Sequence, residues 1–166
     1  MKIKSFALVA AGLLAAGSAY AATATPADKA FVAKVSQGGM FEVDAGKLAE
    51  TKGGTQDVRD FATMEVHDHM LVGARLKAVS SSEGVTFSST PNAQFAGKMA
   101  TLEGLSGAAF DQAYMSDMAA LHDADGAAFL KESEDGGSAA YRAFGAETHR
   151  IVQRHIGAIH GAKPPM

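Results

Sequence analysis

Four residues that resist burial interrupt otherwise apolar helical stripes: Glu42, His69, His122 and His155. Glu65 stands one helical turn before His69, on the same face. A carboxylate and three neutral imidazoles suit borderline first-row transition ions, so convergence of these groups would hold one Zn, Cu or Fe ion. Met115, Met118 and His122 add i, i+3, i+7 spacing on one face, where thioether sulfur could hold Cu(I). The same two methionines serve equally well as core filling. A buried carboxylate beside imidazoles can also be a hydrogen-bonded network that fixes helix register with no ion at all. His67, His149 and His160 fall off the stripes and are read as solvated.

Other chemistries find no support. The chain has no Cys, which removes disulfide scaffolds, zinc fingers and thiol nucleophiles. A net charge of −3 gives no electrostatic footprint for nucleic acid. There is no phosphate-binding glycine loop, no dinucleotide fingerprint and no His-Glu-x-x-His run, so no nucleotide cofactor is expected. Gly104-Leu105-Ser106-Gly107 fails as a nucleophile elbow at Ala108, and Ser106 reads as a helix cap instead. No catalytic residue is assigned.

The elements that must position these groups can be read from punctuation and periodicity. The chain has 166 residues, 47% hydrophobic and 20% charged, which is enough for one domain with a real core. Lys2 and Lys4, a short apolar run and Ala19-Tyr20-Ala21 mark residues 1–21 as a signal peptide, leaving residues 22–166 as a single helical domain. The expected location is the periplasm, with outer-membrane association left open and no membrane span in the mature chain. The four prolines, Pro26, Pro91, Pro164 and Pro165, leave long stretches where helices run unbroken. Thr25-Pro26, Gly53-Gly54, Ser106 and Gly136-Gly137-Ser138 then punctuate long helices at about 26–52, 56–80, 107–134 and 139–160. A short helix, Ala93 to Glu103, falls in the long connection between the second and third. That connection, residues 81–105, is long enough to cover one end or to cross the length of the bundle.

The apolar spacing is three-and-four throughout. The stripes are Phe31, Val35, Gly38, Glu42, Ala45, Ala49; then Val58, Ala62, Glu65, His69, Val72, Leu76, Val79; then Phe110, Tyr114, Met118, Leu121 with His122, Asp125, Phe129; then Phe144, Thr148, Ile151 with Val152, His155, Ile159. Four such helices predict an all-α four-helix bundle. At ~1.5 Å per residue, Glu42 lies about 17 Å before the Gly53-Gly54 turn and His69 about 22 Å after it; His122 and His155 lie about 20 and 28 Å from Gly136-Gly137. All four therefore fall near mid-bundle. Gly38-Gly39 and Gly126 are expected to mark close helix approach, and no internal repeat is apparent.

Several phrases together resemble the domain-of-unknown-function family 4142. They are Phe31-Val32 through Gly38-Gly39-Met40-Phe41-Glu42-Val43 to Gly46-Lys47-Leu48-Ala49; Val58-Arg59-Asp60-Phe61-Ala62 leading to Asp68-His69; and Leu105-Ser106-Gly107 through Phe110-Asp111 to Tyr114-Met115, followed by His122, Phe129 and His155. The resemblance implies an exported, ferritin-like bundle with His69, His122 and His155 on recurring histidine positions and Glu42 on a recurring glutamate. It implies no assigned activity. Leu121 stands where an acid is common, and Glu65 where the position is typically apolar. Di-iron ferritin sites use Glu-x-x-His on two helices, whereas Glu65 and His69 are four apart.

Three functions remain open at this point. The first is a bundle binding a metal ion or small ligand at Glu42, His69, His122 and His155, with affinity falling as the histidines protonate near pH 6. The second is a non-catalytic envelope structural or stress protein whose polar centre is structural. The third is a dinuclear redox enzyme. Neither a protein partner nor an oligomeric state can be read from the chain.

Overall fold

The computed structural model describes residues 24–161, so the expected signal segment lies outside the described residues. Five helices are present, α1 Pro26–Lys52, α2 Gln56–Ser82, α3 Ala93–Gly104, α4 Gly107–Asp135 and α5 Ala139–Ile159. No strand occurs among the described residues. None of their helices is long and apolar enough to cross a membrane.

Caps explain most of the starts. Thr25 and Asp28 form a reciprocal capping box at α1, with Pro26 in the first turn. Thr55, Asn92 and Ser138 each accept a backbone N–H of the following turn. Ser106 is the residue before α4, as expected, but its side chain makes no capping bond.

The helices α1 and α2 form one antiparallel hairpin, α4 and α5 another, and the two pack so that α1 faces α4 and α2 faces α5. Two buried apolar clusters fill the ends. One gathers Phe41, Ala45, Phe61, Phe110, Tyr114 and Met118; the other gathers Phe31, Val35, Leu76, Phe129, Tyr141 and Phe144. The long connection crosses the length of α1. Gln37 exchanges bonds with Thr90 O (3.2 Å) and Asn92 N (2.6 Å), whereas Lys52 Nζ donates to Glu103 O at 2.6 Å. Phe95 of α3 stacks on Phe41 at 5.1 Å, which pins that helix along the α1 side.

The two hairpin turns are built alike, and this corrects the expectation of no internal repeat. Gly53-Gly54-Thr55, Arg59 and Phe61 recur as Gly136-Gly137-Ser138, Arg142 and Phe144, each 83 positions on (53 to 136). Gly53 N donates to Ala49 O at 2.9 Å and Gly136 N to Glu132 O at 3.0 Å. Arg59 donates back to Gly53 O at 2.5 Å and Arg142 to Gly136 O at 2.6 Å. Each hairpin also holds the other's turn through an acid. Asp111 of α4 accepts Gly54 N at 2.7 Å, and Asp28 of α1, also 83 positions earlier, accepts Gly137 N at 2.8 Å. Burial alone would raise the Asp28 carboxyl, but the N–H groups of Gly137 and Thr25 hold it below its ordinary value.

The glycines expected at close helix approaches differ among themselves. A Cβ on Gly39 would meet nothing within 4 Å, so that residue marks no close approach. Gly38 makes room for the Asp125 carboxylate and Gly126 for Ile156. The tightest helix-to-helix backbone approach is at Gly145, where a Cβ would stand 2.7 Å from Ser133 N and 2.9 Å from Phe129 O. Gly145→Ala must push α5 off α4, and a loss of about 1–3 kcal/mol is expected by urea unfolding. Gly97→Ala, in open space on α3, should instead add about 0.4–1 kcal/mol.

Candidate metal centre

Between the two apolar clusters lies a polar layer. Glu65 and His69 reach it from α2, His122 from α4 and His155 from α5, and all four are buried. One ligand atom from each lies within 4.8 Å of the other three. Glu65 is the hub. Its carboxylate oxygens lie 3.2 Å from His69 Nε2, 3.2 Å from His122 Nε2 and 2.8 Å from His155 Nδ1. His122 Nε2 and His155 Nδ1 are 3.1 Å apart. A tetrahedral ion with ligands at about 2.1 Å separates them by roughly 3.4 Å, close to these spacings.

The outer nitrogens explain which ring edges face inward. His122 Nδ1 donates to the Met118 carbonyl at 2.9 Å. His155 Nε2 donates to Asp68 Oδ2 at 3.0 Å, and Arg154 donates to the same oxygen. His69 Nδ1 faces Glu42 Oε2 at 3.1 Å. With those protons placed outside, the inner nitrogens present lone pairs to one another and to Glu65. Both Glu65 oxygens and His69 Nε2 are buried with no hydrogen-bond partner. Acceptors of this kind are costly to leave facing one another, and only a cation or added protons can occupy the middle.

Protons are the first occupant the electrostatics allows. Burial would lower the His69 imidazole, but Glu42 and Glu65 overcome it and hold the group up at about 9. His122 is raised in the same way, burial being outweighed by Glu65 and Glu42. Burial would raise the Glu65 carboxyl, yet the three imidazoles hold it far below its ordinary value.

Glu42, Glu65, His69, His122 and His155, expected from the sequence, are therefore all at mid-bundle, with roles distributed by geometry. Glu65 joins His69, His122 and His155 in the converging set. Glu42 stands behind the rings, against the Nδ1 edges of His69 (3.1 Å) and His122 (3.6 Å). Met118 contributes its backbone carbonyl, while its side chain, with Met115 beside it, belongs to the apolar cluster around Phe41 and Phe110. Asp68 was not anticipated, because it lies off the α2 stripe and only α5 brings His155 to it. His67 and His160 are exposed, but His149 is not fully solvated: it is partly buried and its Nδ1 donates to Gly126 O at 3.0 Å.

Comparison with known proteins adds a family and a fold. The family described as "Domain of unknown function (DUF4142)" matches residues 13–161. No curated protein matches the sequence. Among solved structures, a "DUF305 fragment from Deinococcus radiodurans" is similar, with TM-score 0.72 and 15% identity over 84% of this chain and 96% of that one. At that identity the likeness concerns the helical bundle alone.

The proton occupancy sets a pH dependence for the metal-free protein. His69 is raised from 6.5 to about 9, so its contribution is complete below pH 6.5 and is lost as pH rises through about 9. Glu65 is lowered from 4.5, so its contribution is complete above that value and is lost as pH falls. Thermal melts of chelator-treated protein should give the highest Tm between about pH 4.5 and 6.5 and a decline towards pH 9.5. In His69→Gln that alkaline decline should flatten.

Proposed function

The chain belongs to the DUF4142 family, and we propose that it is an exported, ferritin-like bundle that binds a single first-row transition-metal ion through Glu65, His69, His122 and His155. The observation that carries this reading is the buried surplus of acceptors: two Glu65 oxygens and His69 Nε2 without partners, beside two more ring nitrogens. Three imidazoles and a carboxylate suit Zn(II), Cu(II) or Fe(II) better than Cu(I), since the methionine sulfurs belong to the apolar packing. Four protein ligands in a buried layer make a closed coordination shell, which favours holding an ion over turning over a substrate on it. Glu42, the Met118 carbonyl and Asp68 would orient the rings from behind. Export to the periplasm rests on the signal-like segment 1–21.

A second reading is favoured by the raised His69 and His122: the same layer, filled by protons alone, is a structural network that fixes helix register. The two readings differ in what dialysis finds. Equilibrium dialysis with Zn(II), Cu(II) and Fe(II), followed by elemental analysis, should give one ion per chain. Binding should be lost in Glu65→Ala and in the pair His69→Ala plus His155→Ala, and weakened about 10–100-fold in Glu42→Gln. Binding at pH 7 should release protons, and affinity should keep rising towards pH 9, beyond the range set by ordinary histidines near pH 6. No bound ion in the unaltered chain would leave the proton network, and two ions per chain would favour dinuclear chemistry.

A further inference from the structure

Two buried features lie beside or beyond the Glu65–histidine layer. A cavity of about 420 Å³ opens between α1 and α2, but Glu42 and His69 belong to its lining and tie it to that layer. The other lies at the end of the bundle, where the turn from α4 to α5 meets the start of α1. There two acids, Asp28 and Glu132, are both buried, and their carboxyl groups are in hydrogen-bonding contact.

The donors around this pair are unequally shared. Asp28 Oδ1 accepts Gly137 N at 2.8 Å and Asp28 Oδ2 accepts Thr25 N at 2.6 Å. Gly137 lets its backbone come this near, since a Cβ there would stand 2.5 Å from Asp28 Oδ2. Glu132 Oε1, in contrast, is buried with no hydrogen-bond partner. Helix dipoles divide the pair in the same sense. Asp28 sits in the first turn of α1, the positive end, and Glu132 in the last turn of α4, the negative end. Two like charges in one buried place are costly, so a proton belongs between them, and both the donors and the dipoles put it on Glu132. The Glu132 O–H then donates to Asp28 and joins α4 to α1.

The surrounding groups do not relieve the pair. On α4, Lys131 is exposed and pairs with Asp135 at 2.5 Å. On α5, Arg142 donates to Gly136 O at 2.6 Å, and the buried Tyr141 hydroxyl donates to Ser80 Oγ at 3.4 Å. Gly145, packed against the Glu132 backbone, brings no side chain. Burial, with Asp28 beside it, accordingly pushes the Glu132 carboxyl up to about 7. The hairpin repeat isolates the feature. At the equivalent turn Asp111 accepts Gly54 N and Thr55 N, but Ala49 stands 83 positions before Glu132. Both turns keep the acid that holds the glycine, and one alone sets a second acid behind it.

We propose that Asp28 and Glu132 form a one-proton latch between α1 and α4, closed while the proton is shared and sprung when it leaves. Loss of the proton puts two charges in one buried place, and the last turn of α4 must loosen to bring Glu132 to water. The Glu132 contribution is complete below pH 4.5 and is lost as pH rises through about 7. The latch needs no metal in the Glu65–histidine layer.

Carboxyl-carbon NMR titration of the labelled chain, with and without added Zn(II), tests it. One glutamate carboxyl should titrate at about pH 7, disappear in Glu132→Gln and move down by at least one pH unit in Asp28→Asn. The Gly137 amide should shift with the same midpoint and lose that step in Glu132→Gln. The Gly54 amide, with Ala49 behind its aspartate, should be the same in both proteins. Glutamine keeps an N–H donor and carries no charge. Amides of the last turn of α4 should therefore exchange hydrogen at least tenfold faster in the unaltered chain than in Glu132→Gln at about pH 8, and equally at about pH 5. A Glu132 midpoint below about pH 5.5, a Gly137 step that survives Glu132→Gln, or equal exchange in the two proteins at about pH 8 would overturn it. Where Asp28→Asn does not fold, the Glu132→Gln comparisons decide alone.

Discussion

A surplus of buried acceptors governs this molecule. Glu65 brings a carboxylate into the middle of the bundle, and three imidazoles turn their unprotonated edges towards it because their other edges are committed elsewhere. A lone polar atom in such a place costs on the order of 1–3 kcal/mol, and a lone carboxylate more. The layer is stable only with positive charge at its centre. Since Glu65 and His69 come from one hairpin and His122 and His155 from the other, that charge is also a crosslink between hairpins. The apolar clusters at either end have no such directional requirement.

The hairpin repeat shows how this layer differs from the frame around it. At the ends, both halves use one device: a glycine pair turns the chain, an arginine donates back to the first glycine carbonyl, and an aspartate of the opposite hairpin accepts the second glycine N–H. The matching distances imply that the ends carry the same mechanical task twice. At the centre the halves diverge. Glu42 and Asp125 remain acids in corresponding places, but Glu65, His69, His122 and His155 correspond to Thr148, Val152, Gly39 and Val72. A symmetric frame thus presents a polar layer on one side and a cavity on the other.

Much of this was legible in the sequence. The residues Phe31, Val35, Gly38, Glu42, Ala45 and Ala49 are all buried, because a three-and-four spacing admits only one inward face on a straight helix. Mid-bundle placement of Glu42, His69, His122 and His155 followed from rise per residue and the two glycine turns. Rotation within the layer was harder to read. Whether Glu42 or Glu65 faces the ring edges at the centre depends on a fraction of a turn and on which nitrogen each ring commits outward. Those commitments involve the Met118 carbonyl and Asp68, a backbone atom and an off-stripe side chain, and periodicity weighs neither. The repeat lives in turn chemistry and a few acids, not in the apolar residues that dominate a helical pattern. His149 is a related case, since its partner is a backbone carbonyl on α4 that the pattern of side chains does not mark.

The distribution of acids around the layer bears on how it and the cavity coexist. Glu42 belongs to both: its Oε2 faces His69, and the residue lines the cavity. A metal held at the centre would compete with protons for His69 and His122, the rings that face Glu42. Glu42 would keep those N–H neighbours, and Asp125 beside it keeps its ion pair with Lys34 Nζ at 3.5 Å. The layer and the cavity are thus linked through two side chains, since Glu42 and His69 belong to both.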